Sequence, residues 1–132
     1  MRIIYSFLVY IVVILSPFII AFRIFKKKEN PKRFLEKFSL NKKRRTKGKL
    51  IWFNTASIGE VLSIIRLIEL LAKKNDINFL ITSTTVTSAK LISTMLPKNC
   101  QHQFTPIDTF SATKTFLNYW KPDLAIFVEG EL

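Results

Sequence analysis

Apolar and polar positions follow two different patterns along this chain. From Ile3 to Phe22 the sequence IIYSFLVYIVVILSPFIIAF is 20 residues without a charge. As a helix rising about 1.5 Å per residue, it is long enough to cross a hydrocarbon layer of roughly 30 Å. Pro17 should kink that helix, which membrane helices tolerate. From Leu50 onward short apolar runs alternate with segments of 3.6-residue spacing. Leu50–Phe53 predicts a strand. Val61–Asn75, apolar at 61, 64, 65, 68, 71 and 72, predicts a helix. Leu62, Leu67 and Leu70 widen its stripe, as close packing on a sheet would require. Asn78–Ser83 predicts a second strand, Thr87–Leu96 a helix ended before Pro97, and Gln103–Thr105 a brief third strand. Ser111–Trp120 is a helix with Pro122 just beyond it, and Leu124–Val128 is the last strand.

Strands alternating with helices imply an α/β fold, a Rossmann-like parallel sheet preceded by a transmembrane helix. Functional groups of such sheets gather beyond the carboxyl ends of the strands. Asn54–Glu60, Ser83–Thr87, Pro106–Asp108 and Glu129–Glu131 each follow a strand, so four polar clusters should line one rim. No helix follows the last strand. The fold is expected to be completed by another chain or, as the favoured reading, to be the front of a longer protein.

Charge changes the picture of the middle segment. The chain has 132 residues, enough for one domain, and a net charge of +12. Residues 23–49 carry 13 of its 21 basic side chains against Glu29 and Glu36, whereas residues 50–132 carry seven of each sign. The excess flanks the apolar run, which argues against a nucleic-acid partner and for a membrane one. Lysines stand where a signal peptide would place its small-residue cleavage site, so an anchor is the better reading. The basic side should face the cytoplasm. Juxtamembrane Lys and Arg attract anionic lipid by roughly 1 kcal/mol each. Phe25, Phe34, Leu35 and Phe38, interleaved with the charges, suit a helix lying in the interface. The expected division is an anchor over 1–24, a basic juxtamembrane linker over 25–48 and a Rossmann-like domain over 49–132. A single cysteine, Cys100, fits a reducing compartment.

Several kinds of chemistry lack their residues. One histidine and one cysteine are too few for a His/Cys metal site. The G-x-S-x-G elbow and the glycine-rich dinucleotide and P-loop fingerprints are absent. His102 is expected to be an ordinary surface or packing residue. The stretch Ser57-Ile58-Gly59-Glu60 remains open. It matches a capping box, in which Ser57 and Glu60 satisfy each other's backbone amides. Gly59, a poor helix former in the first turn, suggests instead that a ligand or another backbone comes close.

An apolar N-terminal run, a basic stretch, a strand and then S-x-G-E opening a helix resemble the 3-deoxy-D-manno-octulosonic acid (Kdo) transferases. ITSTTVTSAKLI, QHQFTPID and KPDLAIFVEGEL resemble further segments of that family, in the same order. The family often has His and Ser where this chain has Asn54 and Thr55, Pro and Gly at Val86 and Ser88, and Thr at Gly130. The resemblance implies the acceptor-binding N-terminal half of a two-domain GT-B glycosyltransferase, with the C-terminal donor domain absent or supplied as a separate half. It implies transfer of Kdo from CMP-Kdo to a lipid A precursor, with no metal or other cofactor, at the inner membrane with the folded domain cytoplasmic. The residue matching Glu60 is the general base and that matching Glu129 supports the transition state. Ser57 and Gly59 would help bind substrate. The alternative is a non-catalytic membrane-anchored module that binds anionic lipid through its basic segment.

Overall fold

The computed structural model describes residues 2–26, 31–40, 43–74 and 76–129. They form two compact units, Met1–Pro31 and Lys32–Leu132. The first is a single helix, α1 (Arg2–Phe25), whose span Ile3–Phe25 is long and apolar enough to cross a membrane. Pro17 has no amide to offer the carbonyl of Val13. The Ser16 hydroxyl takes that carbonyl instead, at 2.8 Å, so the helix continues through the proline.

The second unit is a four-stranded parallel sheet between two layers of helix. In chain order come a 3-10 turn (Phe34–Phe38), β1 (Lys49–Asn54), α2 (Ile58–Lys74), β2 (Ile77–Ser83), α3 (Val86–Met95), β3 (Cys100–Phe104), α4 (Phe110–Trp120) and β4 (Leu124–Phe127). The strands lie in the order β3-β2-β1-β4 and every pair is parallel. This is the α/β architecture the sequence predicts.

Strand periodicity divides the core. Phe53, Phe79 and Ile81 face Val61, Ile64, Ile65 and Ile68 of α2 and Ile92 of α3. The alternate residues Leu50, Trp52 and Leu80 pack on Phe116 and Trp120 of α4. Each such side chain, once buried, stabilises the fold by about 1.5–3 kcal/mol. The α2 stripe is narrower than expected. Leu62, Leu67 and Leu70 stay 44–49% exposed, because a helix lying on one sheet face buries only the side turned to it.

The sequence boundary at 48/49 falls inside this unit, and the interfacial helix expected around Phe34, Leu35 and Phe38 is a 3-10 turn docked on the free edge of β3. The cause is an ion pair. Arg33 holds Glu36 in a two-pronged contact at 2.7 and 2.9 Å, and Glu36 is only 3% exposed. Glu36 accepts the Phe104 amide at 2.9 Å, while Arg33 donates to the His102 carbonyl at 3.2 Å. Two side chains thus meet edge groups of β3 that a further strand would otherwise pair. Arg45 is committed as well. It donates to the carbonyls of Trp120 and Lys121, capping the carboxyl end of α4, where a cation is favoured. Lys27–Asn30, also assigned to the linker, lie outside the described residues.

His102 is a packing residue and not a surface one, at 2% exposed. Arginine has no acceptor, so the 3.0 Å contact from Arg33 makes Nδ1 the acceptor and puts the ring proton on Nε2. Nε2 then donates to Ser83 Oγ at 2.8 Å. With a guanidinium where a triad needs a carboxylate, and Ser83 fully buried, this pair is not a nucleophile and base. Burial, then the positive charges of Arg33 and Lys43, hold the His102 pKa down to about 3. The unfolded chain therefore binds a proton near pH 6.5 that the folded chain refuses. Stability should be fullest above pH 6.5 and fall towards pH 3, by up to about 1.4 kcal/mol per pH unit. Urea midpoints measured between pH 7.5 and 4 should drop accordingly, and less steeply in His102→Gln. Equal slopes in the two proteins would refute this account.

Candidate functional site

In the order β3-β2-β1-β4 the chain steps outward from β1 to β3 and then returns to the other side of β1. The crevice beyond the carboxyl ends of β1 and β4 is therefore the point where the winding reverses, the usual ligand position in open parallel sheets. Two loops meet there. Residues 55–57 lead from β1 into α2, and residues 128–129 leave β4, with the Val128 amide bonded to the Asn54 carbonyl at 3.0 Å.

The first loop closes with the capping box. The Glu60 amide donates to Ser57 Oγ at 3.3 Å. Glu60 Oε2 accepts the amides of Ala56 at 2.7 Å and Ser57 at 3.4 Å. Glu60 is half-buried. Its carboxylate is held at the N-terminal end of α2 by two backbone donors. Gly59 has ordinary helical space around it: an added Cβ would come only within 3.9 Å of Ser57 Oγ. No contact among the described residues requires glycine there, and the position is exposed. Glu129, also exposed, follows the last bonded residue of β4 on the same rim. Ser57, Gly59 and Glu60 thus form one turn, with Glu129 on the neighbouring strand's exit. Gly130 and Glu131 of the fourth polar cluster lie outside the described residues.

The first two polar clusters and the neighbouring strand ends are laced together by hydroxyl and backbone bonds. Thr55 bonds the Thr82 carbonyl through both its amide and its hydroxyl, at 2.9 Å each. Thr84 donates to the Ala56 carbonyl at 3.2 Å, and the Thr105 amide to the Ser83 carbonyl at 3.0 Å. The threonine-rich stretch also caps α3, with Thr85 accepting the Ser88 amide at 3.1 Å. The side chain of Asn54, which ends β1, accepts from Thr82 at 2.8 Å and Thr105 at 3.1 Å. Sequence reasoning named Asn54 as the start of a cluster and as a departure from the family pattern, without a role; a polar residue closing an apolar strand run was the available signal.

An open groove of about 460 Å³ runs along α4 past Asp108, Phe110, Lys114 and Asn118, lined by none of the sequence-predicted site residues. Among the described residues no three His, Cys, Asp or Glu side chains gather as a metal site would need. Burial pushes the Cys100 thiol up to about 12, far from a reactive thiolate.

Comparison with known proteins agrees with this architecture. Residues 32–132 match the family model described as 3-deoxy-D-manno-octulosonic-acid transferase (kdotransferase). The chain is 43% identical over 129 residues to the 3-deoxy-D-manno-octulosonic acid transferase of Rickettsia bellii, covering 97% of this chain and 31% of that protein. It is 48% identical over 96 residues to the Rickettsia typhi transferase, covering 72% of this chain and 21% of that one. A probable mitochondrial transferase of the same name from Arabidopsis thaliana is 39% identical over 105 residues, covering 79% and 24%. No solved structure matches the chain. It spans under a third of the length of these relatives. With its match running from the docked 3-10 turn to the exit of β4, the chain belongs to the 3-deoxy-D-manno-octulosonic-acid transferase family.

Proposed function

We propose that this chain is the acceptor-binding, N-terminal part of a GT-B glycosyltransferase that moves Kdo from CMP-Kdo to a lipid A precursor. The observation that carries the reading is the first turn of α2, where Ser57, Gly59 and Glu60 open onto the crevice between β1 and β4. In this reading the acceptor's sugar hydroxyl attacks the anomeric carbon of Kdo. The bond from that carbon to the CMP phosphate breaks, CMP leaves with the electron pair, and the hydroxyl proton passes to Glu60. Oε2 is held on the Ala56 and Ser57 amides, which fixes the direction of the carboxylate that takes the proton. The two amides hold the carboxylate in place at the start of α2. Its contribution is then position at the moment the hydroxyl proton becomes acidic. Glu129, on the exit of β4, lends negative charge against the positive charge that develops on the Kdo ring.

Exposed Gly59 leaves room for a sugar against the turn. The helix α1 would anchor the chain in the inner membrane, with the sheet on the cytoplasmic side where a lipid acceptor can reach its rim. Donor recognition is assigned to sequence that the relatives carry beyond the length matched here.

The test is to join this chain to the remaining segment of the Rickettsia bellii relative and supply CMP-Kdo with a lipid A precursor. CMP release coupled to a Kdo-bearing lipid is expected. A folded joined protein that releases no CMP in the presence of the lipid would overturn the proposal. One observation favours the non-catalytic alternative: the capping box gives Glu60 a structural task of its own. In that case liposome binding through the basic segment would be salt-sensitive and indifferent to Glu60.

A further inference from the structure

At the end of β1 a chain of hydrogen bonds has a fixed direction. Trp52 Nε1 can only donate, and it donates to Thr82 Oγ1 at 2.9 Å in the interior. The Thr82 proton then needs an acceptor, and its other side-chain partner is Asn54 at 2.8 Å. That atom of Asn54 is therefore the carboxamide oxygen, which also receives the Thr105 hydroxyl at 3.1 Å. Both hydroxyls come from the β2 and β3 side of β1. An amide's oxygen and nitrogen lie on opposite edges of one plane. An oxygen tied to the β2 side turns the NH2 edge away from it, towards the β4 side where the winding reverses. Among the described residues, that nitrogen has no bonding partner, whereas the oxygen has two. Asn54 is only half-buried, so the donor is open to the crevice. Phe127 of β4 pairs with Asn54 and meets Trp52 edge-on, and Glu129 follows two residues beyond it.

We propose that Asn54 is a substrate-binding residue, whose NH2, oriented by Thr82 and Thr105, donates to an uncharged sugar oxygen in the β1–β4 crevice. The inference rests on the glycosyltransferase reading above and adds a residue and a ligand chemistry to it. Glu60 and Glu129 lie on the two loops that meet at this crevice, so a sugar hydroxyl or ring oxygen suits it better than an anionic group. That oxygen could belong to the acceptor sugar or to Kdo.

Equilibrium binding to the full chain in detergent micelles separates these cases, with a lipid A precursor and free Kdo as the two probes. Asn54→Asp keeps an oxygen for Thr82 and Thr105 but removes the donor. Its added charge acts on both anionic probes, so the reading is the difference between them: one probe should weaken about tenfold more than the other, roughly the value of one hydrogen bond left unmade. The probe that weakens more identifies the sugar. Thr105→Val, which loosens the orientation, should weaken the same probe in the parent and have no further effect on Asn54→Asp. A purely structural role would instead lower the thermal midpoint and leave no difference between the probes. An equal effect of Asn54→Asp on both probes overturns the inference while the glycosyltransferase reading stands. A parent chain that binds neither probe overturns both.

Discussion

In the joined enzyme, Glu60→Gln is expected to lower Kdo transfer by on the order of 10²–10⁴-fold, the usual contribution of a positioned general base, with the fold intact. The capping box makes this substitution unusually clean. Glutamine serves at the third helical position of such a box as glutamate does, so its carbonyl oxygen can still take the Ala56 and Ser57 amides. What it cannot do is take a proton. Glu60→Ala removes both functions and should cost a further 1 kcal/mol or so in stability. Comparing the two separates cap from base. If Glu60 is only a cap, Gln retains the parental rate and Ala loses stability alone. If it is the base, Gln and Ala lose transfer equally and only Ala melts earlier. A Glu60→Gln enzyme with an unchanged kcat would therefore remove the base assignment and leave the crevice without a proton acceptor on α2.

The elements of the sheet were legible because each carries its own period. Strand runs such as Leu50–Phe53 and Asn78–Ser83 lie within a residue or so of the observed β1 and β2, and prolines marked the carboxyl ends of α3 and α4. Only β3 was misplaced, starting at Cys100 and not Gln103, because Gln101, His102 and Gln103 are polar yet lie in the sheet. Their burial depends on partners far along the chain: Arg33 for His102, and Trp120, whose indole donates to Gln103 at 3.0 Å. Periodicity reports which way a residue faces, not what satisfies it there. The same limit applied to the basic segment. Thirteen cations within residues 23–49 read as one basic stretch, and no local rule separates Arg33 and Arg45, which close the fold, from their neighbours. The S-x-G-E turn was legible as a cap and as a site because the two demand the same residues.

Arg33→Met should be among the most destabilising single changes outside the apolar core. The bidentate contact to Glu36 neutralises a carboxylate that is almost wholly out of water, and the same guanidinium holds the His102 ring nitrogen and carbonyl. Removing one partner of such a pair leaves a buried charge uncompensated, at a cost of about 3–5 kcal/mol. A domain of this size is stable by roughly 5–15 kcal/mol, so a large part of the population would be unfolded at moderate urea. The double variant Arg33→Met, Glu36→Leu removes both charges and should recover part of the loss. Full recovery is not expected, because the Phe104 amide and His102 carbonyl on the edge of β3 then have no side chain to meet them. An open parallel edge also invites pairing with a second chain, so the double variant should remain folded but self-associate as concentration rises. Urea midpoints and sedimentation of the three proteins measure both effects. If the single variant is no less stable than the double, the ion pair is a surface ornament of the 3-10 turn and the edge is held by its apolar contacts alone. If the predicted order holds, residues 32–40 are part of the sheet's architecture, and the basic stretch contains cations that close the fold.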